Sequence, residues 1–300
     1  MRVTAVVVHW RNPEETLGCV ESLATEPVDV IVVENGTQAP VAERLAARMP
    51  AVTCIRSSEN RGYAGGANLG IRAACDRGAE IVLVLNDDVR VRVGATAAAT
   101  ELLAGDDRIA AVGPKVLSRE DPNRLWLAWG CVTYHQSLVA LCGAGAADGP
   151  PFDTGRDVEW IAGCAMWLRA AALARVGLFD EDFFAYHEEV DWCTRARAAG
   201  WRVVYCPTAV VTHAGRGHRG GPAAVRVRKY FAARNAIVFA RKHASGPQRL
   251  KLAAFLATTL PLELLWHAPR GDAGEVVAKL CGIRDALLRR RPPFEALGLR

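Results

Sequence analysis

Val82-Leu83-Val84-Leu85-Asn86-Asp87-Asp88 is the stretch on which the fold turns: four apolar residues end abruptly in an amide and two acids. A short apolar run bounded by Asn and Asp has the length and composition of a buried strand. Such a strand delivers two carboxylates to the C-terminal rim of a sheet, and in open α/β sheets ligands bind at that rim. Adjacent acids repel each other unless positive charge lies between them, and a divalent cation bound to phosphate is the commonest answer. An Asp-Asp pair also suits a solvated loop after a core strand, so the rest of the chain has to decide.

Toward the N-terminus the apolar signal recurs, with helical segments in between. Strands are predicted over Val3–His9, Val28–Glu34, Val52–Ile55 and Ile81–Leu85, and helices over Glu14–Ala24, Val41–Arg48 and Ala67–Arg77. Near-continuous Val/Ile runs separated by helices indicate a parallel sheet covered on both faces. Between about 113 and 160 the pattern changes to Trp-, Gly- and Pro-rich segments, read as irregular hairpins and a loop around Gly149-Pro150-Pro151. Helices follow near Arg169–Val176 and Glu188–Ala199, with short strands at Val203–Tyr205 and Val210–Thr212. From Ala223 onward the chain reads as helices almost to its end. No internal repeat is visible.

The chain has 300 residues, 51% hydrophobic and 23% charged, enough for one large α/β domain or two smaller ones. Nine cysteines show no C-x-x-C pair and mostly sit in apolar runs, a pattern of reduced thiols in a cytosolic protein. No secretory signal is expected, because the run Val3–Val8 is short and is followed by Arg11-Asn12. Residues 1–213 carry 20 Arg and Lys against 27 Asp and Glu, whereas residues 214–300 carry 17 against 5. A basic tail on an acidic body suggests an anionic partner (phosphate, nucleic acid or a lipid surface) or simply solvated helix faces. Leu250–Trp266 is apolar but interrupted by Lys251, Pro261 and Glu263, which suits an interfacial or core helix better than a membrane span. Arg241, Lys242, Arg249 and Arg289-Arg290-Arg291 flank it and suit an anionic membrane surface.

Four clusters carry chemistry. Glu34, in Val32-Val33-Glu34-Asn35-Gly36, ends the second strand and can accept a base imide N–H or cap the next helix. The Gly-rich stretch Asn60–Gly70 permits close backbone approach to a ligand and feeds a helix N-terminus suited to phosphate. The third cluster is Asn86-Asp87-Asp88. The fourth runs from Gly177-Leu178-Phe179-Asp180-Glu181 through Tyr186-His187-Glu188-Glu189-Val190-Asp191 to His213, with acids interleaved among aromatics. Acids there also favour a helix N-terminus, and Asp191 is spaced to pair Arg195 at i,i+4.

Taken in order, these motifs resemble family 2 glycosyltransferases, in particular the bacterial rhamnosyltransferase-like branch. The resemblance covers about residues 3–245 and adds Trp160-Ile161-Ala162-Gly163-Cys164-Ala165, Pro207 with His213, and Ala233-Arg234-Asn235 to the stretches above. It implies a GT-A type, Rossmann-like mixed sheet flanked by helices, with a C-terminal helical extension. The expected division is a catalytic domain at 1–220, with a nucleotide-binding half 1–112 and an acceptor and catalytic half 113–220, then a basic helical extension at 221–300.

The resemblance also implies roles. Asp88 falls on the last acid of the metal-binding motif, with Asn86 at its first position, and His213 on the histidine that completes the site. The cation would be Mg2+ or Mn2+. Glu34, Asn35, Asn60, Gly62, Tyr63, Gly66, Asn68 and Asp87 fall on the nucleotide-sugar side, and Gly163, Asp180 and Asp191 on the acceptor cleft. Glu189 matches the catalytic base, although Glu is longer than the usual Asp and Glu188 stays a candidate. The implied reaction is an inverting, metal-dependent transfer of a sugar, with rhamnose favoured, from a dTDP-, UDP- or GDP-sugar to a glycan or lipid-linked acceptor. The setting would be cell-wall or polysaccharide biosynthesis in the cytoplasm, peripheral at the inner face of the plasma membrane. A nucleotidyltransferase of the same architecture needs a basic Gly-rich signature near the N-terminus, which Val6–Arg11 lacks. A non-catalytic nucleotide-binding protein would not need the full acid set, and no nucleic-acid-binding motif appears in the tail.

Overall fold

A computed structural model describes residues 1–135, 138–215 and 221–299. The chain divides into two compact units, one of residues 1–130, 141–184 and 188–215, the other of 131–140, 185–187 and 216–300.

The first unit is built on β1 (Val3–His9), α1 (Pro13–Leu23), β2 (Asp29–Asn35), α2 (Ala42–Arg48), β3 (Thr53–Ser57), α3 (Gly62–Asp76) and β4 (Ile81–Asn86). The chain continues through β5 (Val89–Val91), α4 (Ala95–Gly105), β6 (Ile109–Ser118), β7 (Leu125–Leu127) and β8 (Trp129–Val132). Then come β9 (Val139–Cys142), β10 (Arg156–Asp157), β11 (Ala165–Arg169), α5 (Ala170–Val176), α6 (Glu188–Ala198) and β12 (Arg202–His213). The main sheet runs β10-β12-β6-β11-β4-β1-β2-β3, with β5 on β12 and β7 on β6, while β8 and β9 pair as a separate ribbon. β3, β2, β1 and β4 are all parallel, as the alternation of strands and helices in the sequence predicts. β11 then enters antiparallel between β4 and β6, so the whole is a mixed sheet.

Ile31, Val32, Leu83, Val84 and Trp167 are fully buried in this sheet. Register aligns the strand ends: His9 lies opposite Glu34, and Val8 opposite Asn86. His213 ends β12 opposite Val89, one residue past Asp88. The C-terminal rim therefore gathers the ends of β1, β2, β4 and β12.

Three features differ from the sequence-based expectation. First, α3 begins at Gly62 rather than Ala67, so the Gly-rich stretch forms the first turns of a helix and not a loop feeding it. Its glycines serve close packing: a Cβ on Gly66 would come 2.8 Å from Val8 Cγ1, and one on Gly70 would sit 2.1 Å from Val6 Cγ1. Second, the region read as irregular begins inside β6, a strand buried through nine of its ten residues, and the wholly buried β11 begins just beyond it. Third, the two short strands after residue 200 are one strand, β12. Its register on β6 shifts between Cys206 and Val210, beside the Cys206–Pro114 pair, where the proline's missing N–H is tolerated.

In the second unit α7 (Gly221–His243), α8 (Gly246–His267) and α9 (Ala273–Leu287) pack together. Tyr230, Phe231 and Phe239 of α7 are buried, and Tyr230 Oη donates to Asp285 of α9 at 2.9 Å. Gly282 brings these helices close, since a Cβ there would meet the Tyr230 carbonyl oxygen at 2.3 Å. Ser245 and Gln248 form a capping box at the start of α8.

Candidate active site

Asp87 and Asp88 leave the end of β4 just as the sheet opens at its rim. Asp88 Oδ1 lies 2.9 Å from His213 Nε2, and the Asp88 carbonyl accepts the Ala214 N–H at 3.2 Å. His213 is buried, Trp126 stands edge-on to it with ring centroids 4.3 Å apart, and its Nδ1 has no hydrogen-bond partner among the described residues. Asp87 is 3.9 Å from His9 Nδ1. His9 is itself fully buried between Thr16 Oγ1 (2.6 Å) and the Ala39 carbonyl (2.8 Å), and burial lowers its pKa against the opposing pull of Ala39 and Glu34.

Glu188 and Glu189 open α6, where the helix dipole favours negative charge. Glu188 is buried, and its Oε2 has no hydrogen-bond partner among the described residues. Burial, followed by the neighbouring Glu189 and Asp191 carboxylates, pushes its acid well above the ordinary range. Glu189 is half-buried and packs against Gly163: a Cβ on that glycine would sit 3.3 Å from Glu189 Cβ and Cγ. The Gly163 carbonyl accepts the Tyr63 hydroxyl at 2.7 Å. The Tyr63 phenol is pushed up by burial and then by Glu188, Glu189 and Asp87, and the Cys164 thiol by burial and then by Asp88 and Glu189. The strand-end acids and the α6 acids thus act on the same short segment, Gly163-Cys164.

The remaining candidates hold this arrangement in place. Glu34 Oε1 accepts the Val41 and Ala42 N–H groups (2.7 and 3.0 Å) at the start of α2, and Oε2 accepts Arg56 Nε at 2.8 Å. Burial raises the Glu34 pKa, but these hydrogen bonds outweigh it and leave the carboxylate below its usual range. Glu34 thus makes the contacts that its capping reading predicts. Asn35 accepts the Arg61 N–H (3.0 Å) and donates to the Gly62 carbonyl (2.9 Å), while Asn60 Oδ1 accepts the Gly62 N–H (2.9 Å). Gly62, at φ +70°, sits against Phe184, whose carbonyl oxygen a Cβ would approach to 2.3 Å. Asn68 exchanges two hydrogen bonds with Phe179 and donates to Glu181. Asp180 caps the turn Glu181–Phe183 by accepting the Asp182 N–H. Asp191 is fully buried and pairs Arg195 at 2.8 Å, the i,i+4 pair its spacing predicts.

Arg119 and Arg90 are rim residues that no motif announces. Both grip the buried Glu15, Arg119 through two hydrogen bonds of 2.7 and 2.8 Å and Arg90 through one of 2.9 Å. The Arg119 N–H also donates to the His213 carbonyl at 3.0 Å. Arg119 follows β6, a strand hidden in the sequence by Gly113, Pro114 and Lys115, so nothing local marks it. A second missed feature is backbone strain before α6. Phe184, Tyr186 and His187 have φ of 61°, 69° and 71°, a region non-glycine residues rarely enter, and such strain collects at functional sites. Within the second unit, Asn235 Nδ2 holds this turn by donating to the Ala185 and Tyr186 carbonyls (2.8 and 2.7 Å).

Asp88 and His213 offer one carboxylate oxygen and one imidazole nitrogen, a donor set suited to Mn2+ and tolerable to Mg2+. Their 2.9 Å separation matches adjacent donors in an octahedral shell with bonds of about 2.1 Å, which lie about 3 Å apart. Among the described residues no group of three or more His, Cys, Asp or Glu converges on one point. Any cation here would therefore take the rest of its shell from ligand oxygens and water.

A family model described as glycosyltransferase like family 2 matches residues 1–245. The chain is 32% identical over 216 residues to N-acetylglucosaminyl-diphospho-decaprenol L-rhamnosyltransferase of Mycobacterium tuberculosis, spanning 64% of this chain and 68% of that protein. It is 30% identical over 223 residues to galactofuranosyltransferase GlfT1 of the same organism, spanning 70% and 69%. In fold it is similar to the mannosyltransferase PcManGT from Pyrobaculum calidifontis, solved with GDP-Man and Mn2+, with a TM-score of 0.56, 20% identity and coverage of 96% and 87%. Motif order, the mixed sheet with acids at its rim, and the match over residues 1–245 agree: the chain belongs to glycosyltransferase family 2 and is a glycosyltransferase.

Proposed function

We propose that the protein catalyses a single-displacement, inverting transfer of L-rhamnose from dTDP-rhamnose to a hydroxyl of a lipid-linked glycan. The observation that carries this reading is the convergence on Gly163-Cys164: Gly163 packs on Glu189 of α6, and the Cys164 carbonyl accepts the Asn86 N–H at 3.0 Å, beside the strand-end acids. Asp88 and His213 would hold a divalent cation, which when bound neutralises charge on the departing nucleoside diphosphate. Glu189, the less buried of the two acids opening α6, takes the proton of the acceptor hydroxyl while that oxygen bonds to the anomeric carbon and the bond to diphosphate breaks. Glu188 is the more deeply buried of the two and is given no proton-transfer role in this reading. Donor nucleotide is assigned to residues 1–112 and acceptor to 113–220. The similar mycobacterial rhamnosyltransferase, whose name specifies a decaprenol-linked acceptor, supports the sugar and the lipid-linked acceptor.

Thermal-shift titration with dTDP-, UDP- and GDP-sugars, with and without Mn2+ or Mg2+, tests the donor, because a ligand confined to the folded state raises the midpoint. A cation-dependent shift with dTDP-rhamnose is expected. Asp88→Asn should abolish that shift. Glu189→Gln should keep it and lower turnover by roughly 10^3-fold, within the span general-base catalysis supplies. Loss of donor binding in both variants alike would overturn the division of roles, and a shift only with another nucleotide would overturn the donor.

A further inference from the structure

Of the 22 residues of α8 only Leu252 is buried, although the helix is largely apolar. Leu250, Ala254, Ala257, Pro261 and Leu265 recur at three- and four-residue spacing and are all exposed, Leu250 and Leu265 at 72% each. They form one apolar stripe along a helix about 33 Å long. Trp266 continues it at 62% exposure, with the Arg270 guanidinium stacked 3.8 Å from its ring. Tryptophan with a cation beside it is the side-chain pairing favoured where an apolar phase meets water.

Charge identifies the occupant. Glu263 is the single acid of α8, and it is turned to α9, where Lys279 Nζ donates to it at 2.7 Å. The exposed face of α8 is thus left without negative charge, while Arg249, Lys251 and Arg270 are exposed at its two ends. Across residues 221–299 Arg and Lys outnumber Asp and Glu by 14 to 5. A face apolar in the middle and basic around it matches anionic headgroups over acyl chains. No helix among the described residues is long and apolar enough to cross a membrane.

We infer that α8 lies in the plane of an anionic lipid bilayer, with Leu250, Leu265 and Trp266 in the acyl boundary and the basic residues at the headgroups. This docking is independent of which sugar is transferred. The test is co-sedimentation of the full chain with vesicles of phosphatidylcholine plus phosphatidylglycerol, against phosphatidylcholine alone, across a salt series. Binding to the anionic vesicles that weakens with salt is expected. Leu250→Glu/Leu265→Glu should reduce it more than about tenfold, because both apolar anchors are replaced by charges the lipid repels. Arg290→Glu/Arg291→Glu, in the exposed run beyond α9, should weaken anionic binding alone. Val93→Glu, at an equally exposed apolar site in the first unit (80%), should change nothing. Circular dichroism and the donor-induced thermal shift check that each variant is folded. Equal binding to neutral vesicles, or undiminished binding by the Leu250/Leu265 variant, overturns the inference. So does a lipid-free dimer that the same variant dissociates, which would make the stripe an interface between copies.

Discussion

His187 stands directly before the two acids of α6 and is 7% exposed at a strained φ of 71°. Burial lowers its pKa to about 4, whereas in an unfolded chain it titrates near 6.5. Between those values the unfolded state binds more protons, so stability should rise with pH through that window and be lost as pH falls through it. The full loss is about 3 kcal/mol. His187→Asn, which suits the left-handed backbone, should remove that part of the pH dependence. Urea unfolding of both proteins from pH 7 to pH 4 checks this, and parallel curves would refute it. Gly163 supplies a second test. Ala there forces the Glu189 side chain away by a few tenths of an ångström, and turnover should fall roughly tenfold with donor binding unchanged. At this scale the sequence was legible in what it brings together: Asp88 and His213, paired in the sequence by motif alone, lie 2.9 Å apart. It was ambiguous where one side chain suits two roles: Glu34 reads equally as a base reader or a cap, and its contacts with the Val41 and Ala42 N–H groups depend on a turn the sequence does not mark.

For whole elements, legibility followed composition. Three of the four parallel strands are rich in Val and Ile, β3 (Thr53-Cys54-Ile55-Arg56-Ser57) being the exception, and all four were readable to within two residues at either end. β6 was not, because Gly113, Pro114 and Lys115 are punctuators in isolation. In the fold Pro114 sits beside the register shift of β12, and Lys115 is buried between Asp148 and Asp153 at 2.6 Å each. α3 misled for the opposite reason: glycines that suggest a loop are there so that a helix can lie directly on β1. Gly70→Ala tests this. Helix propensity alone would stabilise the protein by about 1 kcal/mol, but a Cβ 2.1 Å from Val6 Cγ1 overpacks the contact at a cost of about 1–3 kcal/mol. Net destabilisation of about 1 kcal/mol is expected, and Val6→Ala in the same chain should recover part of it, a coupling a double-mutant cycle reads directly. A Gly70→Ala protein more stable than the parent would mean that helix and strand are not packed as described.

At the scale of the whole molecule, the acid-lined rim belongs to one compact unit and the apolar, basic helix to the other, so the two proposed activities are carried by different units. Charge followed the same division in the sequence, with a net of −7 over residues 1–213 and +12 over 214–300. Each activity should therefore leave its own signature in amide exchange. Nucleotide-sugar with cation at about a hundred times its Kd stabilises whatever it binds by about 2.7 kcal/mol. That protection should appear at the ends of β4 and β12, at Gly163-Cys164 and at the start of α6, with α8 exchanging as before. Anionic vesicles should do the reverse: α8, where so few residues are buried and the unbound helix opens readily, gains protection while the rim does not. Hydrogen–deuterium exchange with each ligand separately and then with both makes the comparison on one sample. Donor-induced protection spreading through α8 would show that the two surfaces are thermodynamically coupled, so that membrane binding tunes donor affinity by the same factor. Protection confined to each ligand's own unit would show that the bilayer concentrates enzyme and lipid-linked acceptor on one surface without altering the catalytic site.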